Sequence, residues 1–155
     1  MRPRPREAGI TLLEMLVVVT LIGLLAGISY PSVAAGLETL RLTQACDTVA
    51  SLLNGALNRA ERRQEAVEIE IARAARTVTL RGALPGFTRS FTLPDGVSID
   101  RVLPAQSEPD EDTRRFLVYP NGTTPRIAIE LSNARGSKRR VRLDPITGVP
   151  QVERL

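Results

Sequence analysis

The sequence has no histidine, no tryptophan and a single cysteine, Cys46. Without histidine it can form neither a Ser-His nor a Cys-His nucleophile pair, nor a histidine metal site. One cysteine cannot close an intrachain disulfide, and a thiolate zinc site needs several. The remaining acid–base candidates are Asp and Glu pairs. None stands in a recognisable motif, and the densest set falls in a loop, which lacks the rigid placement that catalysis needs. The sequence does not read as an enzyme, and it implies no cofactor.

The 155 residues are 43% hydrophobic and 25% charged, the composition of a globular chain long enough for one ordinary domain. The apolar residues are concentrated at one end. No charged residue occurs between Met15 and Leu37, and from Ile10 to Tyr30 only Glu14 is charged. A helix over Ile10–Tyr30 would be about 31 Å long, close to the hydrocarbon thickness of a bilayer. The net charge of +4 is also uneven. Arg2, Arg4, Arg6 and Glu7 give the leader +2, and the remainder carries another +2. So small a surplus is a weak argument for nucleic-acid binding. Basic residues before an apolar run predict a cytoplasmic N-terminus and a head on the far side of the membrane.

A cleaved secretory signal explains this segment poorly. Its apolar run is too long, and Ser29–Ala35 offers only a loose small-residue cleavage site. A plain membrane anchor explains the run but leaves Glu14 without a purpose. A carboxylate in a spanning helix costs about 2.5–3.5 kcal/mol at its centre and less near its end, and marks a functional site by default.

The run Gly9-Ile10-Thr11-Leu12-Leu13-Glu14-Met15-Leu16-Val17-Val18-Val19 resembles the processing and methylation signal of type IV pilins and type II secretion pseudopilins. The resemblance implies that a prepilin peptidase cuts between Gly9 and Ile10 and methylates the new amine of Ile10. It implies that Glu14 meets the N-terminal amine of a neighbouring subunit during assembly, offsetting the carboxylate's desolvation. It also implies a helix kink at Pro31. Ile10 departs from the family, which usually has Phe there. The expected organisation is a leader over 1–9, a transmembrane and filament-core helix over 10–36, and a periplasmic head over 37–155.

Within the head, Leu37, Leu40, Ala45, Val49, Leu52, Leu53, Ala56, Leu57 and Ala60 recur at three- and four-residue spacing. They predict an amphipathic helix over 37–64, with Cys46 a small, inert, semi-buried side chain. The period then changes from 3.6 to 2. Strands are predicted around Val67–Ile71, Val78–Leu80, Phe87–Leu93, Val97–Ile99, Phe116–Tyr119, Ile127–Leu131, Val141–Leu143 and Val149–Val152. Pro85-Gly86, Pro94-Asp95-Gly96 and Asn133–Lys138 read as turns. The fold class is α+β: a long N-terminal helix packed on an antiparallel β-sheet, within strands 66–153. Asn121-Gly122-Thr123 matches a glycosylation acceptor pattern, but in a bacterial chain it reads as a turn. Glu108, Asp110, Glu111 and Asp112 form an acidic loop. Calcium favours such oxygen ligands, yet the spacing and glycine of a calcium loop are missing, so the segment reads as a solvated, mobile loop.

The C-terminal third narrows the resemblance. Phe116-Leu117-Val118-Tyr119-Pro120-Asn121-Gly122-Thr123 is similar to the F-x-x-x-P-x-G segment of H-type minor pseudopilins and FimT-like minor pilins. Ile127–Leu131, Arg140–Leu143 and Thr147-Gly148 follow in the same order. An H-type reading implies a low-copy subunit at or near the tip of a type II secretion pseudopilus. Its partners would be the major and other minor pseudopilins, and exported substrate or secretin. A FimT-like reading implies a type IV pilus, with DNA as a partner. The cluster Arg135, Lys138, Arg139, Arg140 and Arg142 keeps DNA contact open, with Arg139, Arg140 and Arg142 the candidates. Alternation puts Arg140 and Arg142 on one strand face and Arg139 on the other. No aromatic side chain is interleaved, and Val149-Pro150 stands where DNA-binding relatives are basic. A solvated strand face is the simpler account of this cluster.

Overall fold

The computed structural model describes residues 11–84, 86–105, 112–122 and 124–155, apart from the side chains at 31, 32 and 34. Gly9 and Ile10, most of the acidic loop (Glu108, Asp110 and Glu111), Pro85 and Thr123 lie outside these residues. Among the described residues one helix, α1 (Leu12–Arg63), is followed by eight strands: β1 (Val67–Ala72), β2 (Thr77–Gly82), β3 (Thr88–Thr92), β4 (Val97–Leu103), β5 (Thr113–Val118), β6 (Ala128–Asn133), β7 (Lys138–Leu143) and β8 (Pro150–Arg154). The chain divides into two compact units between Leu37 and Glu38, and α1 contributes to both.

The expected strands are all present, with shifted ends. β4 and β7 are longer than the sequence suggested, and Tyr119 falls outside β5. The antiparallel head, whose strand order the sequence left open, consists of two four-stranded sheets. Their orders are β3-β2-β1-β5 and β4-β6-β7-β8. A period-2 pattern reports which residues of a strand face inward; it carries no information on which strand pairs with which.

One core draws on α1 and both sheets. Leu42, Ala45, Cys46, Val49, Leu53, Ala56 and Ala60 supply the helix side. Val67, Ile69, Ile71, Val78 and Leu80 come from the first sheet, and Ile129, Leu131, Val141 and Leu143 from the second. The helical face differs at its start from the predicted stripe. Leu37 and Leu40 are about half exposed, and Leu42 takes the buried position. Leu42 is in phase with Ala45, Cys46 and Val49, whereas Leu37 and Leu40 sit where α1 enters the head. Cys46 is fully buried, more so than expected.

α1 stops where Gln64 adopts a left-handed conformation with φ of 52°. The Gln64 amide donates back to the Glu61 carbonyl at 2.7 Å. Asn121 then pins the distant β5–β6 turn to this helix end. Its backbone N–H donates to Glu61 Oε1 at 3.2 Å, and its side-chain amide donates to Gln64 Oε1 at 3.2 Å. The Asn121-Gly122 turn is therefore real, with the Gly122 N–H donating to the Tyr119 carbonyl at 3.3 Å. It joins no hairpin, because β5 pairs with β1 whereas β6 pairs with β4 and β7. It is one of three connections that pass between the sheets, the others being β3–β4 and β4–β5.

Candidate assembly segment and basic strand

The described part of the N-terminal segment begins at Thr11. The Thr11 hydroxyl accepts the Glu14 N–H at 3.2 Å, and the Thr11 carbonyl accepts the Met15 N–H at 3.2 Å. Thr11 is thus the N-cap of α1 and Glu14 its third helical residue. This Thr-x-x-Glu spacing is a helix-start signature that the sequence itself carries. Glu14 stands in the first turn, where the positive end of the helix dipole favours a carboxylate. Beyond it, every large apolar side chain from Met15 to Tyr30 is exposed on the isolated chain. The Thr20 hydroxyl donates to the Leu16 carbonyl at 2.7 Å, so its polar group is satisfied within the helix. By length and composition this part of α1 can cross a membrane. α1 continues through Pro31 into the head.

The five basic residues predicted as one cluster do come together around β7, but most are already engaged. Arg140 pairs directly with Glu130 across the β6–β7 ladder, its Nη2 2.6 Å and its Nε 3.1 Å from Oε1. Arg142 lies 2.8 Å from Glu153 and donates to Gln151 at 2.7 Å. Lys138 lies 2.7 Å from Asp100, and Arg135 lies 2.8 Å from Glu38. Arg139 stands on the opposite strand face, with buried Val141. Four of the five charges face a carboxylate, so the cluster offers much less positive field than its sequence suggests.

Glu38 and Asp100 come from sequence-distant elements, and Glu130 and Glu153 from the strands that flank β7. β6 is buried at every position, its outward residues included. Glu130 is covered by Arg140. The Ser132 hydroxyl donates to Asp100 Oδ1 at 2.5 Å and lies 3.0 Å from the Ser98 hydroxyl. A register shift between Ile99 and Arg101 marks a bulge in β4, which leaves Asp100 and Arg101 together between the buried Ile99 and Val102. Burial alone would raise the Asp100 carboxyl, but hydrogen bonds from Lys138 and Ser132 outweigh it and hold the group below its ordinary value of 3.8.

The segments that carried the C-terminal resemblance are turns and the strands that brace them. Phe116 packs half-buried against the core from β5, and Pro120–Gly122 make the crossover turn. Thr147-Gly148 closes the β7–β8 hairpin. Asp144 Oδ1 accepts the backbone N–H groups of Ile146 at 2.8 Å and Thr147 at 3.1 Å, and those bonds depress its pKa. Gly148 supplies the left-handed residue that this turn requires, with φ of 69°. Among the described residues no group of His, Cys, Asp and Glu is placed to hold a metal ion. Of the acidic loop, Asp112 is engaged in structure, its Oδ1 accepting the Ala74 N–H at 2.9 Å.

Residues 4–30 match the family model of the prokaryotic N-terminal methylation motif. The structure is similar to that of the minor pseudopilin EpsH from the type 2 secretion system of Vibrio cholerae. The TM-score is 0.55, with 12% identity over 74% of this chain and 96% of that one. The fold is pilin-like. No curated protein sequence matches it. At 12% identity the likeness speaks for the fold, and the surface chemistry of this chain is its own.

Proposed function

We propose that the chain is a minor pseudopilin: a low-copy structural subunit at or near the tip of a type II secretion pseudopilus, supporting export of folded proteins. In this reading prepilin peptidase removes residues 1–9 and methylates Ile10. The apolar half of α1 anchors the subunit in the inner membrane, with its N-terminus cytoplasmic and its head periplasmic. On assembly Glu14 meets a neighbour's N-terminal amine, the helix moves into the filament core, and Pro31 gives it local freedom. The observation that carries the reading is the pairing of a methylation motif over residues 4–30 with a head similar to a minor pseudopilin.

A FimT-like minor pilin that binds DNA shares the same architecture. The carboxylate pairing around β7 disfavours it, because phosphate contacts would compete with Glu130, Glu153, Asp100 and Glu38. Deletion of the gene decides between the two. The expected outcome is loss of exoprotein from the medium, restored by the wild-type chain and not by Glu14→Ala, which is still trimmed. Gly9→Val should accumulate at the untrimmed mass. Normal secretion in the deletion strain, with loss of piliation or DNA uptake, would transfer the protein to the pilus reading.

A further inference from the structure

A groove of about 560 Å³ opens between the last turns of α1 and the β2–β3 edge of the first sheet. Leu52, Arg59, Arg62, Arg63, Phe87 and Arg89 line it. β3 is an edge strand, pairing only with β2. In that register Arg89 lies opposite Leu80, whose side chain is buried against the helix, so Arg89 occupies a core-facing position at the sheet margin. The four guanidiniums thus approach from two elements. Among the described residues, the carboxylate in salt-bridge range of any of them is Glu65, 2.6 Å from Arg59 and almost fully buried beneath it. Arg59 is occupied a second time, its guanidinium 3.7 Å from the Phe87 ring centroid. Arg62, Arg63 and Arg89 are exposed at the mouth, and no carboxylate among the described residues neutralises them.

Gathering like charges around one concavity is unfavourable unless an anion completes it. The last turn of a helix tolerates Arg62 and Arg63 through the dipole, but Arg89 comes from the sheet and gains nothing from it. An inward-pointing charge on β3 discourages edge-to-edge pairing, which explains one arginine and not the convergence of all four. The floor decides the class of anion. Leu52 and Phe87 are apolar, and the Phe87 face is closed by Arg59, so no ring is free to stack on a base. A concave pocket of this size takes side chains, whereas a duplex presents a convex rod of phosphates.

We propose that this groove is a docking site for an acidic segment of a partner protein, its carboxylates on Arg62, Arg63 and Arg89 and an apolar side chain on Leu52. It goes beyond the proposed function and holds whichever filament the subunit joins. The test uses the full chain in a zwitterionic detergent and a labelled peptide of repeating Glu-Glu-Leu, read by fluorescence anisotropy. Saturable binding is expected, at least about tenfold weaker for the Gln-Gln-Leu counterpart. The combined Arg62→Ala, Arg63→Ala and Arg89→Ala variant should weaken it by a similar factor, while Arg101→Ala leaves it unchanged. A charge-reversed chain, Arg62→Glu with Arg89→Glu, should instead take a Lys-Lys-Leu peptide. That gain of binding separates a lost site from a lost fold. Equal affinity for the neutral peptide, or undiminished binding by the triple variant, overturns the proposal. So does labelled duplex DNA that outcompetes the peptide and loses its own binding in the same variant, which would assign the groove to nucleic acid.

Discussion

Cys46, Thr11 and Gly122 show how far a single residue's surroundings can be inferred from its type. Cys46 is inert because burial pushes its thiol up to about 11, and the nearby Arg139 charge only partly opposes this. Thr11 caps α1 through one hydroxyl and so sets the position of Glu14 in the first turn. Gly122 is required by a close approach: a Cβ there would lie 3.1 Å from Tyr119 Cβ and 3.2 Å from the Tyr119 carbonyl oxygen. The backbone atom cannot yield without opening the turn. Gly122→Ala should therefore destabilise the head by about 1–3 kcal/mol, measured as a shift of the denaturant midpoint at unchanged slope. The glycine was legible as a turn residue; its reason, contact with Tyr119, was not.

At the scale of elements, periodicity identified the helix and the strands, because most of them bury one face and alternate accordingly; the edge strands β3 and β8 bury no residue fully. It failed where a strand is covered on both faces. β6 reads as a half-polar strand, yet Glu130 and Ser132 are buried beneath partners from β4 and β7. Two testable consequences follow from this cover. Asp100 has a depressed pKa in the fold, so its ionised form is favoured by folding. Its stabilising contribution is complete above the ordinary carboxylate value of 3.8 and is lost as pH falls through the lower folded value. Acid unfolding should accordingly become shallower below pH 4 in Asp100→Asn, followed by circular dichroism. Arg140→Ala should cost about 3 kcal/mol by thermal or chemical melting, because it strands the Glu130 carboxylate, whose side chain is only 10% exposed.

At the scale of the whole molecule, two sheets and the head half of α1 share one core, and the Asn121-Gly122 crossover ties the sheets to the helix end. The same assembly neutralises the basic strand. Titration of the full chain with labelled duplex DNA over a salt series tests that directly. Arg139→Ala with Arg142→Ala is the suitable control, since Arg140 is needed to satisfy Glu130. The pseudopilin reading expects no saturable binding that depends on those two residues. Binding that weakens steeply with salt and vanishes in the control would favour the pilus.

Local order in this chain is written in local pattern. The uncharged run with its isolated Glu14, the change of period from 3.6 to 2 and the Pro-Gly turn signals each concern residues a few positions apart. The forces they report, burial of one face and backbone hydrogen bonding, act over the same few positions. The division into two sheets, the carboxylates set against Arg135, Lys138, Arg140 and Arg142, and the convergence of Arg62 and Arg63 with Arg89 belong to another class. Glu38 meets Arg135, and Asp100 meets Lys138, across long stretches of intervening chain. Such pairings follow from strand order and from how the helix packs on the sheets. They arise only when the packed core has chosen one arrangement among many that share the same pattern.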